Sequence, residues 1–249
     1  QPYSERSTET YNYKVSLEPF QDVKIEVTGN RSYSENFSEY FRADNFGEFS
    51  FFTPSQGGSY SMSFIMAGTS FKDGDKTFKQ LLANRNEIAK RLAEQNPGWH
   101  NIENQWVYDS IGHDMYPYGY GASSQEVLTY AFLSAYSGHN AKSESLKLFR
   151  TFALPNWSVN FTGLTKIPAV KRIFKTVNIT HSYKSTYSVS GWASNLNYNE
   201  TNTIQTFEGT NMIIPKYDIS QITISEQYAP LIGVTFTFQN TLAPSFEYK

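Results

Sequence analysis

A chain of 249 residues can bury one sizeable core, and a formal charge of −2 with no basic cluster longer than Lys171-Arg172 argues against a nucleic-acid partner. No apolar run approaches the roughly 18–20 residues of a membrane helix, so any residence in a membrane must be through strands. Aromatic residues make up 16% of the chain, against 18% charged residues. That balance fits an outer-membrane barrel and, equally, a tyrosine-rich soluble β-sandwich.

The chain contains no cysteine, which fits an oxidising envelope compartment. It starts at Gln1-Pro2 without a methionine or a signal peptide, which indicates a mature product or a piece of a longer protein.

Residues 1–67 alternate between apolar and polar side chains, which is typical of strands and a loop. Tyr11, Val15 and Leu17 alternate with polar residues, and Pro19–Asp22 forms a short turn before the alternation resumes. Phe37–Gly58 is predicted as a longer loop before a strand that begins near Tyr60.

Residues 68–155 break the strand pattern and predict an insertion with two helices, because a loop of that length needs structure of its own. The first helix has apolar side chains at helical spacing and ends at Asn96-Pro97-Gly98. Ser123 and Glu126 predict a capping box at the start of the second helix, which ends at Gly138. Strand counting places this insertion on the short-turn side of the sheet or inside the lumen of a barrel. The expected apolar stripe of the first helix comprises Phe78, Leu81, Leu82, Ile88, Ala89 and Leu92.

Residues 156–249 return to strands. The clearest strand is Thr176–Ser190, whose period of two holds for fifteen residues and exceeds the roughly 9–11 residues that cross a bilayer on a tilt. Trp192–Asn195 and Ala229–Gly233 are predicted as short hairpin turns, and 164–175 and 208–216 as longer connections. The whole chain then predicts about eight antiparallel strands.

No pattern in the chain predicts catalysis. His100, His113, His139 and His181 lie in unlike contexts, and no metal-binding or nucleotide-binding motif occurs. His113-Asp114 near Asp109 reads as a solvated loop in preference to a metal site. We therefore expect no enzyme activity, no cofactor and no metal, and we expect His181 to be a packed or interfacial residue.

Several blocks spread across most of the chain resemble the SprA/Sov family. The clearest runs from Leu154-Pro155-Asn156-Trp157 to Lys166, and continues as Phe174–Tyr183 and Ser185–Val189. This resembles the family's tryptophan strand, short helix begun by a proline and long strand. Thr28–Glu39 and Ile222–Gly233 are also similar to that family, and the 68–155 insertion matches more loosely.

The resemblance implies a segment of an antiparallel transmembrane β-barrel of about 36 strands in the bacterial outer membrane. That family is the translocon of the type 9 secretion system, which moves folded proteins to the cell surface and serves gliding motility. The implied partners are cargo proteins with C-terminal signals, a partner outer-membrane barrel of the PorV type, a periplasmic plug protein and outer-membrane lipid.

On this resemblance the two faces of the strands have separate roles. The side chains expected to face lipid are Val177, Ile179, Tyr183, Tyr187, Val189, Val234, Phe236 and Phe238. The side chains expected to line the lumen are Asn178, Thr180, Ser182, Lys184, Thr186, Thr235, Thr237 and Gln239.

Two alternatives stay open from the sequence. One is a complete barrel of about eight strands that acts as a porin or adhesin. The other is a soluble carbohydrate-binding β-domain whose exposed tyrosines and tryptophans stack on sugars.

Overall fold

The structure of the chain, a computed structural model, describes residues 2–43, 45–199 and 204–249. The strands are β1 (Pro2–Phe20), β2 (Val23–Ala43), β3 (Phe49–Ser63), β4 (Trp106–Asp109), β5 (Asp114–Pro117), β6 (Asn156–Phe161), β7 (Phe174–Ser194), β8 (Tyr217–Ile219), β9 (Ile222–Tyr228), β10 (Ile232–Phe238) and β11 (Ser245–Tyr248). The helices are α1 (Gly74–Gln95), α2 (Gln125–Ser137) and α3 (Pro168–Ile173), with 3₁₀ turns at Pro97–Asn101 and Gly163–Lys166.

Nine of these strands form one antiparallel sheet, so the expected antiparallel β architecture is confirmed. The path of the sheet is β1-β2-β3-β7-β10-β11. β6 pairs with β2 and with β7 and thus shares one strand position with β3. β8, β9 and β10 pair with the same edge of β7 and share another position. The sheet therefore has six strand positions connected up and down, against the eight strands predicted.

The strands are longer than the sequence predicted. β2 and β7 each have 21 residues, or about 70 Å at the usual rise per residue. The predicted loop Phe37–Gly58 is wrong, because β2 continues to Ala43 and pairs with β3 from Phe49 onward. Tyr40 and Phe41 with their polar neighbours belong to the strand.

Two of the predicted hairpin turns are also wrong. The turn at Pro19–Asp22 joins β1 to β2 as predicted. Trp192 instead lies within β7, and the next strand, β8, begins at Tyr217. At Ala229–Gly233 the chain does not reverse, because β9 and β10 both run antiparallel to β7.

The insertion leaves the sheet at the end of β3 and returns at the start of β6, halfway along the strand position that these two strands share. Met62 of β3 pairs with Arg31, and Asn156 of β6 pairs with Thr28, so only two residues of β2 separate the exit from the return. The amide of Leu154 donates to the carbonyl of Ser63 at 3.0 Å and closes the neck of the insertion. The expected exit at the short-turn side is therefore wrong, while the alternative of a position inside a lumen stays a prediction. Residues 64–155 emerge from mid-height and pack on one face of the sheet.

Both predicted helices of the insertion are present, and they pack against each other. Asn84 of α1 donates to the hydroxyl of Ser134 on α2 at 2.8 Å, between buried apolar side chains. On α1, Leu81, Ile88 and Ala89 are buried as predicted, whereas Phe78 is 52% exposed. The predicted capping box is wrong, because α2 is capped by Ser124 and no side chain makes the cap hydrogen bond.

Candidate lipid-facing surface

The two faces of the sheet follow from the register of its strands, because side chains that are paired across strands share a face. Val15, Val27, Trp157 and Tyr183 form one row across four strand positions. The next row toward the hairpin turns is Leu17, Ile25, Val159 and His181. We call the part of the sheet between the first of these rows and the turns after β1 and β10 the lower half. The part that pairs with β3, β8 and β9 is the upper half.

The insertion covers the apolar face of the upper half. Tyr187 and Val189 of β7 and Met62 of β3 are fully buried in one cluster with Leu133 of α2 and Ile88 of α1. This cluster is the main core of the molecule. Its cover consists of the two helices and the segment that returns from them to the sheet.

Residues 148–154 of this return segment, which we call the strap, lie along a row of tyrosines. Phe149 of the strap packs among the rings of Tyr33, Tyr60 and Trp192, with ring centroids 5.1–5.5 Å apart. Hydroxyl groups of the sheet satisfy the backbone of the strap. These bonds are Tyr187 to the carbonyl of Leu148 (3.0 Å), Tyr60 to that of Arg150 (2.7 Å), Tyr11 to that of Thr151 (2.8 Å) and Tyr13 to that of Ala153 (3.1 Å).

Charged groups hold the strap at Arg150. The guanidinium of Arg31 on β2 donates to the carbonyl of Arg150 at 3.0 Å. Arg150 itself donates to the carboxylate of Glu144, whose side chain is fully buried and also contacts the Nδ1 atom of His139 at 3.0 Å. Because a buried carboxylate is stable only with such partners, this cluster ties the strap to the segment after α2.

The same apolar face is bare in the lower half. Val15, Leu17, Ile232 and Phe246 are 45%, 48%, 53% and 61% exposed. Within the described residues, neither buried core cluster extends onto this surface. We call it the bare band. It crosses all six strand positions, a continuity that exceeds the scattered apolar residues of ordinary soluble surfaces.

Aromatic rings mark the two margins of the bare band. At its lower margin, the terminal residue of each of four strands is a phenylalanine: Phe20 of β1, Phe161 of β6, Phe174 of β7 and Phe238 of β10. Its upper margin carries Trp157, Tyr183, Tyr228 and Tyr248. Trp157 stacks on Tyr183 with the centroids 4.2 Å apart.

The height of the bare band can be read along β7, from Phe174 to Tyr183. Nine residue steps span about 30 Å along the strand. With the tilt of about 40° that is usual in membrane barrels, this corresponds to about 23 Å along the membrane normal, close to the roughly 25 Å apolar belt of such barrels.

His181 lies on the apolar face with both ring nitrogens engaged. Its Nδ1 atom lies 2.7 Å from the carbonyl of Leu231, and the indole N–H of Trp157 donates to its Nε2 atom at 3.2 Å. These partners assign a neutral ring with the proton on Nδ1. The imidazole is thus fully paired within the protein, as an apolar environment requires, and it is a packed residue as expected.

The opposite face of the sheet is polar throughout the lower half. Asn178, Thr180, Ser182 and Lys184 alternate with the apolar side chains of β7 as predicted, and Thr235 and Thr237 do so on β10. Gln239 is an exception, because it lies in the turn after β10 and donates to the carbonyl of Lys171. The sequence also missed an ion cluster on this face, in which Lys14 and Lys24 each contact Glu26 at 3.1 Å.

The structure divides the side chains that were predicted to face lipid into two groups. Ile179, Val234, Phe236 and Phe238 belong to the bare band, whereas Val177 shares their face but is only 5% exposed. Tyr183 lies at its upper margin, with its hydroxyl accepting the amide of Met66 at 2.9 Å. Tyr187 and Val189 share the periodicity of the first group, yet they are covered by the insertion. Their surroundings are protein, as are those of Tyr183, which is 1% exposed, so the lipid-facing assignment does not fit these three residues.

The other motifs singled out in the sequence have structural roles. The carboxylate of Asp109 accepts the amides of Ile111, Gly112 and Ala122 at 2.8–2.9 Å and shapes the turn between β4 and β5. Among the described residues no cluster of three metal-ligating side chains occurs. None of the helices in the described part of the chain is long and apolar enough to span a bilayer.

The bare band, with its aromatic margins and its polar opposite face, is therefore the candidate functional surface. Comparison with known protein families gives no match to this chain, and no curated protein matches it either.

Proposed function

We propose that this chain is a wall segment of a transmembrane β-barrel of the bacterial outer membrane. The observation that carries the proposal is the bare band, an apolar surface of bilayer height, bounded by aromatic rings, on a sheet whose reverse side is polar. Lipid is the environment that stabilises such a surface, since leaving it in water would forgo about 25 cal/mol for each Å² of apolar area. On this proposal the lower half crosses the membrane and the upper half, with the insertion, extends beyond it.

The number of strand positions in the sheet favours a segment of a larger barrel over a small complete barrel. It has six strand positions, whereas the smallest outer-membrane barrels have eight strands. In the described residues, the outer edges of β1 and β11 have no strand partner. Backbone groups cannot remain unpaired in lipid, so further strands must continue the wall on both sides.

The resemblance to the SprA/Sov family supports a specific role for this wall. A translocon barrel conducts folded cargo through its lumen, and the lower half would present to that lumen the serine, threonine and asparagine side chains of β6, β7 and β10. Such groups hold water without binding varied cargo strongly. We propose type 9 protein secretion as the transport function, with cargo and the partner proteins of that family as its contacts.

The proposed face assignment is tested by placing spin labels at neighbouring positions. The chain has no cysteine, so Ile179→Cys, Thr180→Cys, Val234→Cys and Thr235→Cys each add one thiol to it. In the protein reconstituted in lipid vesicles, labels at 179 and 234 should be relaxed by oxygen, which concentrates in lipid. Labels at 180 and 235 should be relaxed by a water-soluble nickel chelate.

Each pair serves as its own control, because its two members differ only in the face they occupy. Nickel access at all four positions would identify a sheet in water and overturn the proposal. A parent reading frame too short for about 36 strands would leave a membrane wall in place but remove the translocon role.

A further inference from the structure

A second feature of the molecule is a cavity in the upper half that the wall role does not use. It has a volume of about 390 Å³ and lies between the first turns of α2, the start of the strap and β8. This volume is within the range of small-molecule sites in proteins. The cavity is remote from the bare band, so its role does not depend on the position of the membrane.

Glu126 is the acidic residue among those that line this cavity. It was expected to cap α2, but the cap is Ser124 and the carboxylate of Glu126 faces the cavity. No hydrogen bond or ion pair to this carboxylate occurs in the described part of the chain, and burial raises its pKa. A half-buried acceptor without a partner costs folding free energy, so its presence here points to a ligand that donates to it.

Gln125, the neighbour of Glu126, already anchors the start of α2, so the helix does not need a polar contact from Glu126 as well. The side-chain amide of Gln125 donates to the carbonyl of Tyr217 at 2.7 Å, and its oxygen accepts the amide of Ile219 at 3.1 Å. These two bonds fix the first turn of α2 against β8. Glu126 is thus available for binding.

The walls of the cavity are aromatic and its rim is basic. Tyr130, Phe149 and Tyr217 supply rings, with Phe149 and Tyr217 in edge contact at 5.7 Å between centroids. Lys147 and Lys216 are also among the lining residues, and the ammonium of Lys216 lies 5.9 Å from the ring centre of Tyr217. The cavity thus combines ring faces, one acceptor and donors of positive charge.

We propose that this cavity binds the ring of a neutral sugar. A pyranose presents a C–H face to the aromatic walls, hydroxyl donors to the carboxylate of Glu126 and hydroxyl acceptors to the ammonium of Lys147. An anionic ligand would be repelled by Glu126, and a cationic ligand would be repelled by Lys147. A neutral polyol is the ligand class that uses all of these groups.

The test measures sugar binding to the purified protein by saturation-transfer difference NMR. Maltose, cellobiose and lactose are the probes, and the detergent must carry no sugar headgroup, so an amine oxide replaces the usual maltosides. We expect at least one probe to bind, with its ring C–H protons saturated most strongly. Glu126→Leu should weaken binding about tenfold or more, since it removes a charged acceptor.

A matched control is Glu103→Gln, which neutralises an exposed carboxylate outside the cavity and should leave binding unchanged. Glu126→Gln keeps one acceptor oxygen and should bind with an intermediate constant. Three results would overturn the proposal: no probe bound by the folded protein, equal binding by Glu126→Leu, or binding of butylammonium in place of the sugars.

Discussion

The two halves of one apolar face have different side chains because they meet different surroundings. The upper half is rich in tyrosine, and its hydroxyls bond to the backbone of the strap. The bare band carries mostly valine, isoleucine and phenylalanine, and its polar atoms are concentrated at the upper margin and in the paired ring of His181. The strap brings carbonyls that need donors, whereas lipid brings none. On the proposed membrane role, the presence or absence of a hydroxyl distinguishes protein contact from lipid contact.

The break between the halves coincides with the neck of the insertion. Gly29 of β2 lies opposite this neck, and a Cβ atom at this position would lie 2.2 Å from the ring of Tyr13. The glycine lets Tyr13 fold across the sheet and reach the carbonyl of Ala153. Substitutions in the upper half and in the lower half should therefore have separate effects. The largest effect is expected at the buried charge cluster and the smallest from the titration of one carboxyl group.

The largest effect is expected from Glu144→Ala in the covered half. Removing this fully buried carboxylate leaves the guanidinium of Arg150 without its main partner, at a cost of about 3–5 kcal/mol. Because the cluster ties down the strap and not the bare band, hydrogen exchange should accelerate at the amides of residues 148–154 while those of β6 and β10 are unchanged. Glu103→Ala is the exposed control. Uniform acceleration throughout the sheet would show that the two halves are one cooperative unit.

The second prediction places an arginine on each face of the bare half. Ile179→Arg puts a charge on the bare band, where the cost near the bilayer midplane is about 2–4 kcal/mol, so insertion into the outer membrane should fall sharply. Thr180→Arg puts the same charge on the polar face and should be assembled normally. Heat-modifiable gel mobility and membrane fractionation measure assembly. Equal behaviour of the two variants would contradict the assignment of faces.

The sequence predicted the period-two strands and their faces from local pattern alone. Val177 to Val189 alternate as predicted, and β7 is the centre of the sheet. The pattern could not distinguish the partly exposed Ile179 from the buried Val189, because the difference between them is set by residues 64–155 folding back over the upper half. The pairing of Arg31 with Met62 and of Thr28 with Asn156 brings Met62 and Asn156, which are about 90 residues apart in the chain, close together beside β2, and no local periodicity encodes this. The local signal that indicated this cover was the alternation of tyrosine with serine in the strands of the upper half.

The third prediction concerns a single hydroxyl under the strap. Tyr11 donates to the carbonyl of Thr151 and accepts the amide of Ala153 at 2.7 Å, so Tyr11→Phe leaves two backbone groups without partners. The expected loss is about 1–2 kcal/mol in the local opening free energy of the strap. Tyr3→Phe, which removes a hydroxyl bonded to Glu5 on the exposed strand end, should leave stability unchanged. Hydrogen exchange of Ala153 measures both.

The smallest effect is a pH dependence confined to the covered half. Burial raises the pKa of Glu126 above its ordinary value of 4.5, so the folded state binds a proton more readily than the unfolded state. Stability must therefore fall as pH rises through the window between the ordinary and the raised pKa, and the loss is complete above that window. Glu126→Gln has no such proton to lose. Its thermal midpoint should exceed that of the wild type at pH 7.5, and the two should converge below pH 4.5. The bare band has no part in this titration, so a difference that persisted at acid pH would mean that the amide, and not the charge, alters the packing of α2.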